Sequence, residues 1–411
     1  MTQDQFYKQT ISFTLNRQSY SFNVSQELFS SHAIDAGTQR LLRTLLHPIF
    51  SAHPVHSIQT NRQTPKKILD LGCGYGPIGI VLAQQNPQAE VHFVDRDALA
   101  IEYAKQNVNQ NKLKNKCRFY ASLGYDSVKD NNFDLIVSNI PAKVGEQVLE
   151  HFLYDAQQHL SKNGSVAIVV VEEINKIVNK LLTENENIKI TLKKSWPGHH
   201  VYHYEFLTSA SQTTPPAFEA GKYVRAKHNF YWNNHEFQLA TTYHLREFDQ
   251  LGFDTQLLLN NLENVAAPVQ SVIVINPGQG YIPLAVAKKT IPQKIILVDR
   301  DLQALKTSRA NLVQAEYPAE NIILNHQVNW DIEAKPISAL IGVIPEKQSI
   351  QVYEMWLEQA SEILESMGQL LLSSTSTTIY KLEKINKKQK HFEVVAREKN
   401  KGISCVLLQK R

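Results

Sequence analysis

The sequence contains little cysteine: its 411 residues include three, Cys73, Cys117 and Cys405. An odd and widely spaced set does not suit a disulfide framework, so we expect a reducing, cytoplasmic compartment. Long apolar runs are also missing, because no stretch approaches the roughly 20 residues that span a bilayer. The opening MTQDQFYKQT lacks the basic segment and apolar core of a secretory signal. We therefore expect no membrane association and no export.

Neither sign of charge dominates. The net charge of +4 is mildly basic, which permits a nucleic-acid partner without demanding one. Three histidines, His199, His200 and His203, lack a cysteine or carboxylate at ligand spacing, so no metal site is expected. No Ser-His-Asp arrangement and no phosphate-binding loop of the P-loop type is present. The composition is 43% hydrophobic and 20% charged, typical of globular protein, and the length predicts two or three domains.

The chain contains an internal repeat, in which one sequence pattern occurs twice. VHFVDRDALAIEYAKQN at 91–107 matches IILVDRDLQALKTSRAN at 295–311. ILDLGCGYGPIGIVLA at 68–83 matches VIVINPGQGYIPLAVA at 272–287. Both matches have an offset of 204 positions, as from Asp95 to Asp299, and NIPAK repeats as VIPEK at that offset. Repeats at a fixed offset indicate a tandem duplication.

The two copies differ in one connection. IDAGTQRLL resembles GFDTQLLL with a larger offset of 217 positions, as from Thr38 to Thr255. The change in offset predicts a longer loop in the first copy, within HPIFSAHPVHSIQTNRQTPKK at 47–67. Between the copies, SASQTTPPAFEAG has the small, polar and proline-containing composition of a linker. We therefore predict a first domain at 1–208, a linker at 209–221 and a second domain at 222–411.

Each copy alternates strand and helix patterns. KKILDLG, EVHFVD, CRFYA, FDLIVSN and SVAIVVV have the character of buried strands, and PIGIVLAQQ, ALAIEYAKQNV and GEQVLEHFLYDAQQHL that of helices. Near-continuous Val, Ile and Leu in the strands predicts a mostly parallel sheet with helices on both faces. The predicted fold is therefore α/β, a tandem duplication of a Rossmann-like domain.

The first copy has the features of a cofactor site. Its first strand ends at Asp70 and runs into GCGYG, where Gly72, Gly74 and Gly76 allow a sharp turn and a close approach of ligand to main chain. Asp95 ends the next strand, at the sheet edge where a carboxylate binds ribose hydroxyls. The alternative is that this carboxylate caps the helix that follows, although Asp97 is better placed to do so.

Together, ILDLGCGYG, VDRD and SNIPAKVG resemble the class I S-adenosylmethionine-dependent methyltransferases. With the preceding LFSSHAIDAGTQRLL, the chain resembles the tandem-domain bacterial ribosomal RNA guanine-N2 methyltransferases. The likeness covers most of 20–208 and, more weakly, most of 223–411. In that family the second domain is the active one and the signature is Asn-Pro-Pro-Phe, whereas here the first copy carries the intact motifs and the signature is NIPA.

The resemblance implies S-adenosylmethionine as cofactor and assigns its contacts. The strand end and turn would hold the methionine part: Asp70, Gly72, Gly74 and Gly76. The ribose and adenine end would involve Asp95, Arg96, Ala121 and Ser122, although Ser122 is equally well explained as a loop hydroxyl. Asn139 would contact both cofactor and substrate. Asp35 and Thr38 would close the pocket or, alternatively, cap the helix that begins there.

NIPA predicts how an amine is held. The amide oxygen of Asn139 and a nearby backbone carbonyl, that of Ile140, would accept the two amine hydrogens and direct the lone pair at the methyl group. Pro141 would fix the direction of the chain. Ala142 removes the ring that stacks on a flat base, and an aromatic from elsewhere would have to replace it. Three are candidates for this role: Phe29, Trp196 and Tyr125.

The second copy has lost the residues of this chemistry. At the same offset, Asp70 becomes Val274, Gly72 becomes Asn276 and Asn139 becomes Val343. Lysines cluster in YKLEKINKKQKHF, either to bind phosphates or as a solvated helix face. The sequence thus predicts methyl transfer to an exocyclic amine, with guanine N2 of ribosomal RNA, or the ribosomal subunit, as substrate. The alternatives are an amine of a protein side chain or small molecule, or a non-catalytic RNA-binding or assembly factor.

Overall fold

The structure is a computed structural model that describes residues 4–46, 64–210, 214–333 and 337–411. The chain divides into two compact units, Tyr7–Tyr223 and, as the other, Met1–Phe6 together with Val224–Arg411. Most of the longer loop predicted within 47–67 lies outside the described residues. The predicted domain and linker boundaries stay predictions.

The unit Tyr7–Tyr223 alternates strand and helix after an N-terminal hairpin. Its elements are β1 (Tyr7–Leu15), β2 (Gln18–Ser25), α1 (Ala36–Leu46), β3 (Lys67–Leu71), α2 (Pro77–Gln85), β4 (Glu90–Asp95), α3 (Ala98–Gln110), β5 (Cys117–Ala121), β6 (Phe133–Asn139), α4 (Glu146–Tyr154), β7 (Leu160–Val171), α5 (Glu172–Glu184), β8 (Ile188–Trp196) and β9 (His199–Phe206). Seven of the described strands form one sheet in the order β5-β4-β3-β6-β7-β9-β8. The neighbouring strands from β5 to β7 are parallel, and β9 pairs antiparallel with both β7 and β8.

The other unit repeats this order. Its elements are β10 (Val224–Trp232), β11 (His235–Thr242), α6 (Phe253–Asn261), β12 (Ser271–Ile275), α7 (Tyr281–Thr290), β13 (Lys294–Asp299), α8 (Leu302–Gln314), β14 (Ile322–His326), β15 (Ile337–Val343), α9 (Ile350–Ile363), β16 (Leu364–Thr375), α10 (Ser376–Gln389), β17 (Phe392–Asn400) and β18 (Ile403–Lys410). Its sheet order, β14-β13-β12-β15-β16-β18-β17, is the equivalent of the first. The prediction of a tandem, mostly parallel α/β fold is confirmed.

Helices cover both faces of the sheet, because successive strand residues point to opposite sides. In β12, Val272 and Val274 join a core with α6, α7 and α8, whereas Ile273 and Ile275 join a core with α9 and α10. Every one of these strand residues is completely buried. A strand buried on both faces has no polar alternation, which explains its uniformly apolar sequence.

The repeated VDRD has a structural explanation. Asp97 and Asp301 are the N-caps of α3 and α8, and each accepts a hydrogen bond from the backbone two residues on. The preceding strand-end carboxylate binds the cap residue in turn: Asp95 Oδ1 accepts from Asp97 N at 3.0 Å, and Asp299 Oδ1 from Asp301 N at 2.9 Å. Asp97 is thus the helix cap, as expected, while Asp95 fixes the turn between strand and helix.

An asparagine is repeated in α3 and α8, as Asn107 and Asn311. In the first unit it joins the N-terminal hairpin to the glycine turn. Asn107 accepts from Asn23 N at 2.7 Å and donates to the carbonyl oxygens of Asn23 and Tyr75 at 3.0 and 2.9 Å. Asn311 makes the same three bonds, to Ala240 and Gln279. Both asparagines are buried, so the need to satisfy their side-chain polar atoms explains why both copies retain the residue.

None of the helices in the described ranges combines the length and apolarity that a transmembrane helix needs.

Candidate active site

The glycine turn follows β3 and is open above its main chain. Gly72 and Gly74 have φ of +72° and +55°, angles that glycine adopts without strain. A Cβ built on either would meet no atom of the described residues within 4 Å. The turn is anchored from below, where the Gly72 and Cys73 N–H groups donate to Val94 O at 2.8 and 2.9 Å. Gly76, with φ of +88°, leads into α2. The turn thus leaves space for a ligand to approach the backbone.

Asp70 lies beneath this turn and is completely buried. Its Oδ2 accepts from Gly79 N at 2.7 Å, while its Oδ1 is buried without a hydrogen-bond partner among the described residues. Burial raises the pKa of Asp70 to about 7, opposed by the Gly79 N–H and reinforced by the charge of Asp95. An unsatisfied buried carboxylate oxygen is costly, so a cationic group nearby would stabilise the ionised form.

Asp95 stands at the carboxyl end of β4, beside the turn. Its carboxylate accepts from Gly74 N at 2.9 Å and Asp97 N at 3.0 Å, and it remains only partly buried. Burial, with the neighbouring charge of Asp97, raises the pKa of Asp95. Each carboxylate oxygen retains capacity to accept a further hydrogen bond, for instance from a ribose hydroxyl. The open turn, the unsatisfied Asp70 and the accessible Asp95 together fit S-adenosylmethionine, whose methionine end is cationic and whose ribose carries two hydroxyls.

Ser122 follows β5 and has a partner within its own loop. Its Oγ accepts from Ser127 N at 2.8 Å, and its N–H donates to Asp95 O at 3.0 Å. Ala121 and Arg96 lie partly buried at the same sheet edge. The loop role that the sequence left open for Ser122 is therefore present, and contact of these residues with a cofactor stays a prediction.

Asn139 ends β6 at the same sheet edge, and α1 fixes its orientation. Its Nδ2 donates to Asp35 Oδ2 at 3.0 Å and to Thr38 Oγ1 at 3.2 Å. With both amide hydrogens so used, Oδ1 is left as the acceptor. Asp35 Oδ2 also accepts from Thr38 N at 3.1 Å at the start of α1. Asp35 therefore caps the helix, which was one of its two alternatives, and it also holds the asparagine. Closure of the pocket by Asp35 and Thr38, the other alternative, stays a prediction.

The rest of NIPA is split between core and surface. Ile140 is buried and donates from its N–H to Val169 O at 3.0 Å, whereas Pro141 and Ala142 are exposed. Of the three candidate aromatics, Tyr125 is buried, donates to Phe152 O and stacks on His159, so it cannot face a substrate. Phe29 is 73% exposed, and Trp196 is partly buried at the end of β8.

Sequence reasoning missed a group of residues that lie around α1 and the β8–β9 turn. Arg40 donates to Pro197 O at 2.8 Å, and its Nη1 lies 2.6 Å from His199 Nδ1. A Cβ on Gly37 would lie 2.8 Å from His199 Cδ2 and 2.9 Å from Asp35 Oδ2. The available signal was Gly37, two residues after Asp35, in the first turn of a helix where alanine would otherwise be favoured.

In the second copy, side chains form hydrogen bonds at the turn that is equivalent to the glycine turn. Asn276 replaces Gly72 with φ of +48° and donates to Val343 O at 2.8 Å. Gln279 is completely buried and exchanges hydrogen bonds with both backbone groups of Thr242. Val274, in place of Asp70, is completely buried in the apolar core.

One group in the described ranges brings possible metal-ligand atoms together: Glu90, His92 and Asp130, within 4.8 Å of one another. It lies at the start of β4, the edge opposite the glycine turn. Its carboxylates are engaged by cations, with Arg118 and Lys116 at 2.6 and 3.0 Å from Glu90 and Lys67 at 3.4 Å from Asp130. This network has the character of an ion-pair cluster, and the absence of a metal stays a prediction.

The profile of one protein family, described as Methyltransferase small domain, matches residues 19–195 and again 243–403. The chain is 26% identical over 196 residues to the uncharacterized protein YbxB of Bacillus subtilis, covering 47% of this chain and 90% of that protein. It is 30% identical over 146 residues to Ribosomal RNA small subunit methyltransferase C of Haemophilus influenzae, covering 34% of this chain and 39% of that protein. It is 27% identical over 167 residues to Ribosomal RNA large subunit methyltransferase G of Yersinia pestis, covering 39% and 38%. The chain thus spans less than half the length of these two ribosomal RNA methyltransferases.

Among solved structures, the T. thermophilus 16S rRNA N2 G1207 methyltransferase (RsmC), in complex with AdoMet and guanosine, has the same fold over 99% of both chains. The TM-score is 0.63 and the sequence identity 14%. The two matches of the family profile coincide with the two α/β units, and the first of them contains the glycine turn and both carboxylates. The chain belongs to the Methyltransferase small domain family and is a methyltransferase that uses S-adenosylmethionine as its cofactor.

Proposed function

We propose that the unit Tyr7–Tyr223 transfers a methyl group from S-adenosylmethionine to the exocyclic amine of a base in ribosomal RNA, with guanine N2 as the target. The observation that carries this proposal is the orientation of Asn139. Because Asp35 and Thr38 take both hydrogens of its amide, its Oδ1 is presented as an acceptor at the edge of the sheet where the cofactor turn lies.

An exocyclic amine needs such an acceptor because its lone pair is delocalised into the ring. The cofactor supplies an electrophilic methyl group, so that the new C–N bond forms as the S–C bond breaks and a proton passes from nitrogen to solvent. Asn139 Oδ1 and the Ile140 carbonyl accept the two amine hydrogens and aim the lone pair. Acceptors held in place before reaction stabilise positive charge as it develops on nitrogen. Asp35 and Thr38 act as positioning residues for Asn139.

The cofactor is assigned to the first unit only. Asp70 and the turn Gly72–Gly76 hold its methionine part, and Asp95 binds the ribose, with Arg96, Ala121 and Ser122 beside the adenine. The equivalent turn in the other unit carries Asn276 and a buried Gln279 where the first has Gly72 and Tyr75. That unit is retained for another purpose, which we assign to substrate binding.

RNA as the partner is supported by relatives that carry ribosomal RNA methyltransferase names and by one helix of the second unit. Exposed lysines share one face of α10: Lys381, Lys384, Lys387 and Lys388. Tyr380, 61% exposed, stands among them. Glu383, on the same helix, is paired with Arg397 at 3.0 Å. The equivalent helix α5 exposes a mixture of charges instead: Glu172, Glu173, Lys176, Lys180 and Glu184.

A basic stripe that only the second copy has gained suits contact with phosphates. A guanine in folded RNA would be extruded to reach Asn139. Activity on ribosomal RNA also accounts for the cytoplasmic location that the sequence predicts.

The test is methyl transfer from labelled S-adenosylmethionine to ribosomal RNA or subunits isolated from a strain that lacks this gene, followed by mass spectrometry of the nucleosides. We expect one methylated guanine, formed by the protein and not by Asn139→Ala. Label in protein or in small molecules, with none in RNA, would overturn the substrate. Full transfer by Asn139→Ala would overturn the amine chemistry.

A further inference from the structure

The turn between β8 and β9 stands at the same sheet edge as Asn139. β9 runs antiparallel to β7, with His199 opposite Val171, while Asn139 lies opposite Val169 on the other side of β7. The turn consists of Trp196–His199, with Gly198 at φ +77° allowing its reversal. Gly198 O also accepts from Glu172 N at 3.2 Å, which ties the turn to the start of α5.

Arg40 clamps this turn onto α1. Its guanidinium donates to Pro197 O at 2.8 Å, contacts His199 Nδ1 at 2.6 Å and lies 6.0 Å from the centre of the Trp196 ring. A guanidinium has donors only, so His199 Nδ1 is the acceptor and Nε2 carries the hydrogen of the neutral ring. The clamp fixes both rings with respect to the helix that also orients Asn139.

Because Gly37 has no side chain, the His199 ring can approach the carboxylate of Asp35, which holds the amide of Asn139. A Cβ at this position would meet both His199 Cδ2 and Asp35 Oδ2 at less than 3 Å. Asp35 Oδ2 is in turn 3.0 Å from Asn139 Nδ2. The edge of the imidazole and the carboxylate that positions Asn139 therefore border the same space, which Gly37 leaves free because it has no side chain.

The three histidines of this segment have separate roles. His200 is buried between Glu172 and Ser195, at 2.7 and 2.8 Å, and His203 is buried against Thr44 at 2.9 Å. His199 and His203 both face α1: His203 meets it at Thr44, whereas His199 meets it near its start, beside Gly37 and Arg40. Trp196 is likewise distinct, because the remaining tryptophans are buried in the other unit: Trp232, Trp330 and Trp356.

We propose that Trp196 and His199 form the planar wall of the substrate pocket, in place of the aromatic residue that NIPA lacks at Ala142, and that Arg40 is the positioning residue of this wall. The inference rests on the proposed function, since it names what holds the flat base beside Asn139. Ala142 is exposed and offers only a methyl group. Aromatic rings bind bases through their faces without reading sequence, so the wall would hold the base while Asn139 selects the amine.

The first test is steady-state kinetics with ribosomal RNA as substrate. Trp196→Ala is expected to raise KM for RNA about tenfold or more, and His199→Ala and Arg40→Ala to do so to a lesser degree. Cofactor affinity should change less than about twofold, since no cofactor contact is removed. Trp196→Phe should restore most of the loss, and Ala142→Phe should restore it in the Trp196→Ala background. Phe29→Ala, which removes an exposed ring that the sequence also offered as a candidate, is the matched control and should leave KM unchanged.

The second test needs no catalysis. Guanosine is titrated into protein saturated with S-adenosylhomocysteine, and tryptophan fluorescence is followed. We expect quenching that Trp196→Phe abolishes and Phe29→Ala preserves. Three results would contradict the proposed wall: unchanged quenching in Trp196→Phe, no quenching in the wild type, or an unchanged KM in Trp196→Ala. Quenching through Trp196 without methyl transfer to RNA would instead leave the wall in place and overturn the proposed substrate.

Discussion

At the scale of single residues, Asp35 shows how one side chain serves two purposes. Its Oδ2 caps α1 through Thr38 N and holds the amide of Asn139. A helix cap must sit in a fixed place because it binds main-chain groups, so it makes a rigid support for a neighbouring polar side chain. Local pattern predicted the cap, but only the packing of α1 against the end of β6 gave it a second partner.

Asn139→Ala should lower turnover by about 10²–10³-fold, the usual cost of removing one preorganised electrostatic partner. Cofactor affinity should stay nearly unchanged, because the carbonyl acts on the amine as charge develops. The measurement is kcat with ribosomal RNA beside the cofactor Kd by calorimetry. Lys143→Ala, an exposed change in the same loop, should leave both unchanged; equal losses in the two variants would argue against a specific role for Asn139.

Asp70 should make cofactor binding depend on pH. Burial, opposed by the Gly79 N–H and reinforced by Asp95, raises the pKa of Asp70 from 3.8 to about 7. A carboxyl whose pKa is raised in the folded state contributes to the free energy of unfolding. That contribution is complete below about pH 4 and is lost as pH rises through about 7. The cationic cofactor binds the ionised form better, so its affinity should rise with pH, by about tenfold from pH 6 to pH 8.

Calorimetry across that pH range measures this effect. Asp95 lies nearby and its pKa is raised too, chiefly by burial, so the Asp70→Asn variant is needed to isolate Asp70. That variant should bind the cofactor more weakly at pH 8, and its cofactor affinity should depend less on pH. An equally steep profile in Asp70→Asn would assign the titration to another group.

At the scale of elements, the duplication separates structural residues from functional ones. Asn107 and Asn311 make the same three bonds in both units, so their role is to join hairpin, turn and helix. Where equivalent elements differ, the difference points to function. α10 has gained a lysine face that α5 does not have, and the turn after β12 has lost the glycine that leaves the turn after β3 open.

The lysines of α10 should govern the salt dependence of RNA binding. Each phosphate contact contributes about 0.7 to 0.9 to the slope of log K against log salt concentration. Replacing Lys381, Lys384 and Lys388 with Gln should lower affinity for ribosomal RNA and reduce the slope, with cofactor affinity unchanged. Filter binding at several salt concentrations measures both. Lys176→Gln with Lys180→Gln in α5 is the control, and an equal effect there would assign the response to general charge.

At the scale of the whole molecule, two copies of one fold carry unequal sites. The first has an open turn, an unsatisfied buried carboxylate and an accessible strand-end carboxylate. The second keeps Asp299 and the bond to Asp301, yet Val274 and Asn276 replace the groups that would meet a cofactor. The strand-end carboxylate persists because it fixes the strand-to-helix turn, whether or not a cofactor is bound.

Calorimetry should find one S-adenosylmethionine per chain. Asp95→Ala should weaken binding by about 1.5–3 kcal/mol, the range for hydrogen bonds to a charged acceptor. Asp299→Ala removes the equivalent bond to the following aspartate and is therefore a matched control for structural loss; it should leave affinity unchanged. Two equal sites, or equal effects of both variants, would contradict the assignment of the cofactor to the first unit.

The sequence by itself determined the duplication, the mostly parallel sheet, the glycine turn and the family. These follow from local chemistry: apolar runs make buried strands, glycine permits the turn, and aspartate caps the next helix. The β1–β2 hairpin and strand β8 were missed, since their half-buried patterns are weak signals.

Only the tertiary structure decided which distant residues share the site. Asp35 meets Asn139 across 104 positions, and Arg40 meets His199 across 159. The tertiary structure also shows that Tyr125 is buried, whereas the sequence could not distinguish this candidate from Trp196. The physical reason is that strand order and helix packing bring sheet edges together, and no periodicity along the chain records which side chains meet there.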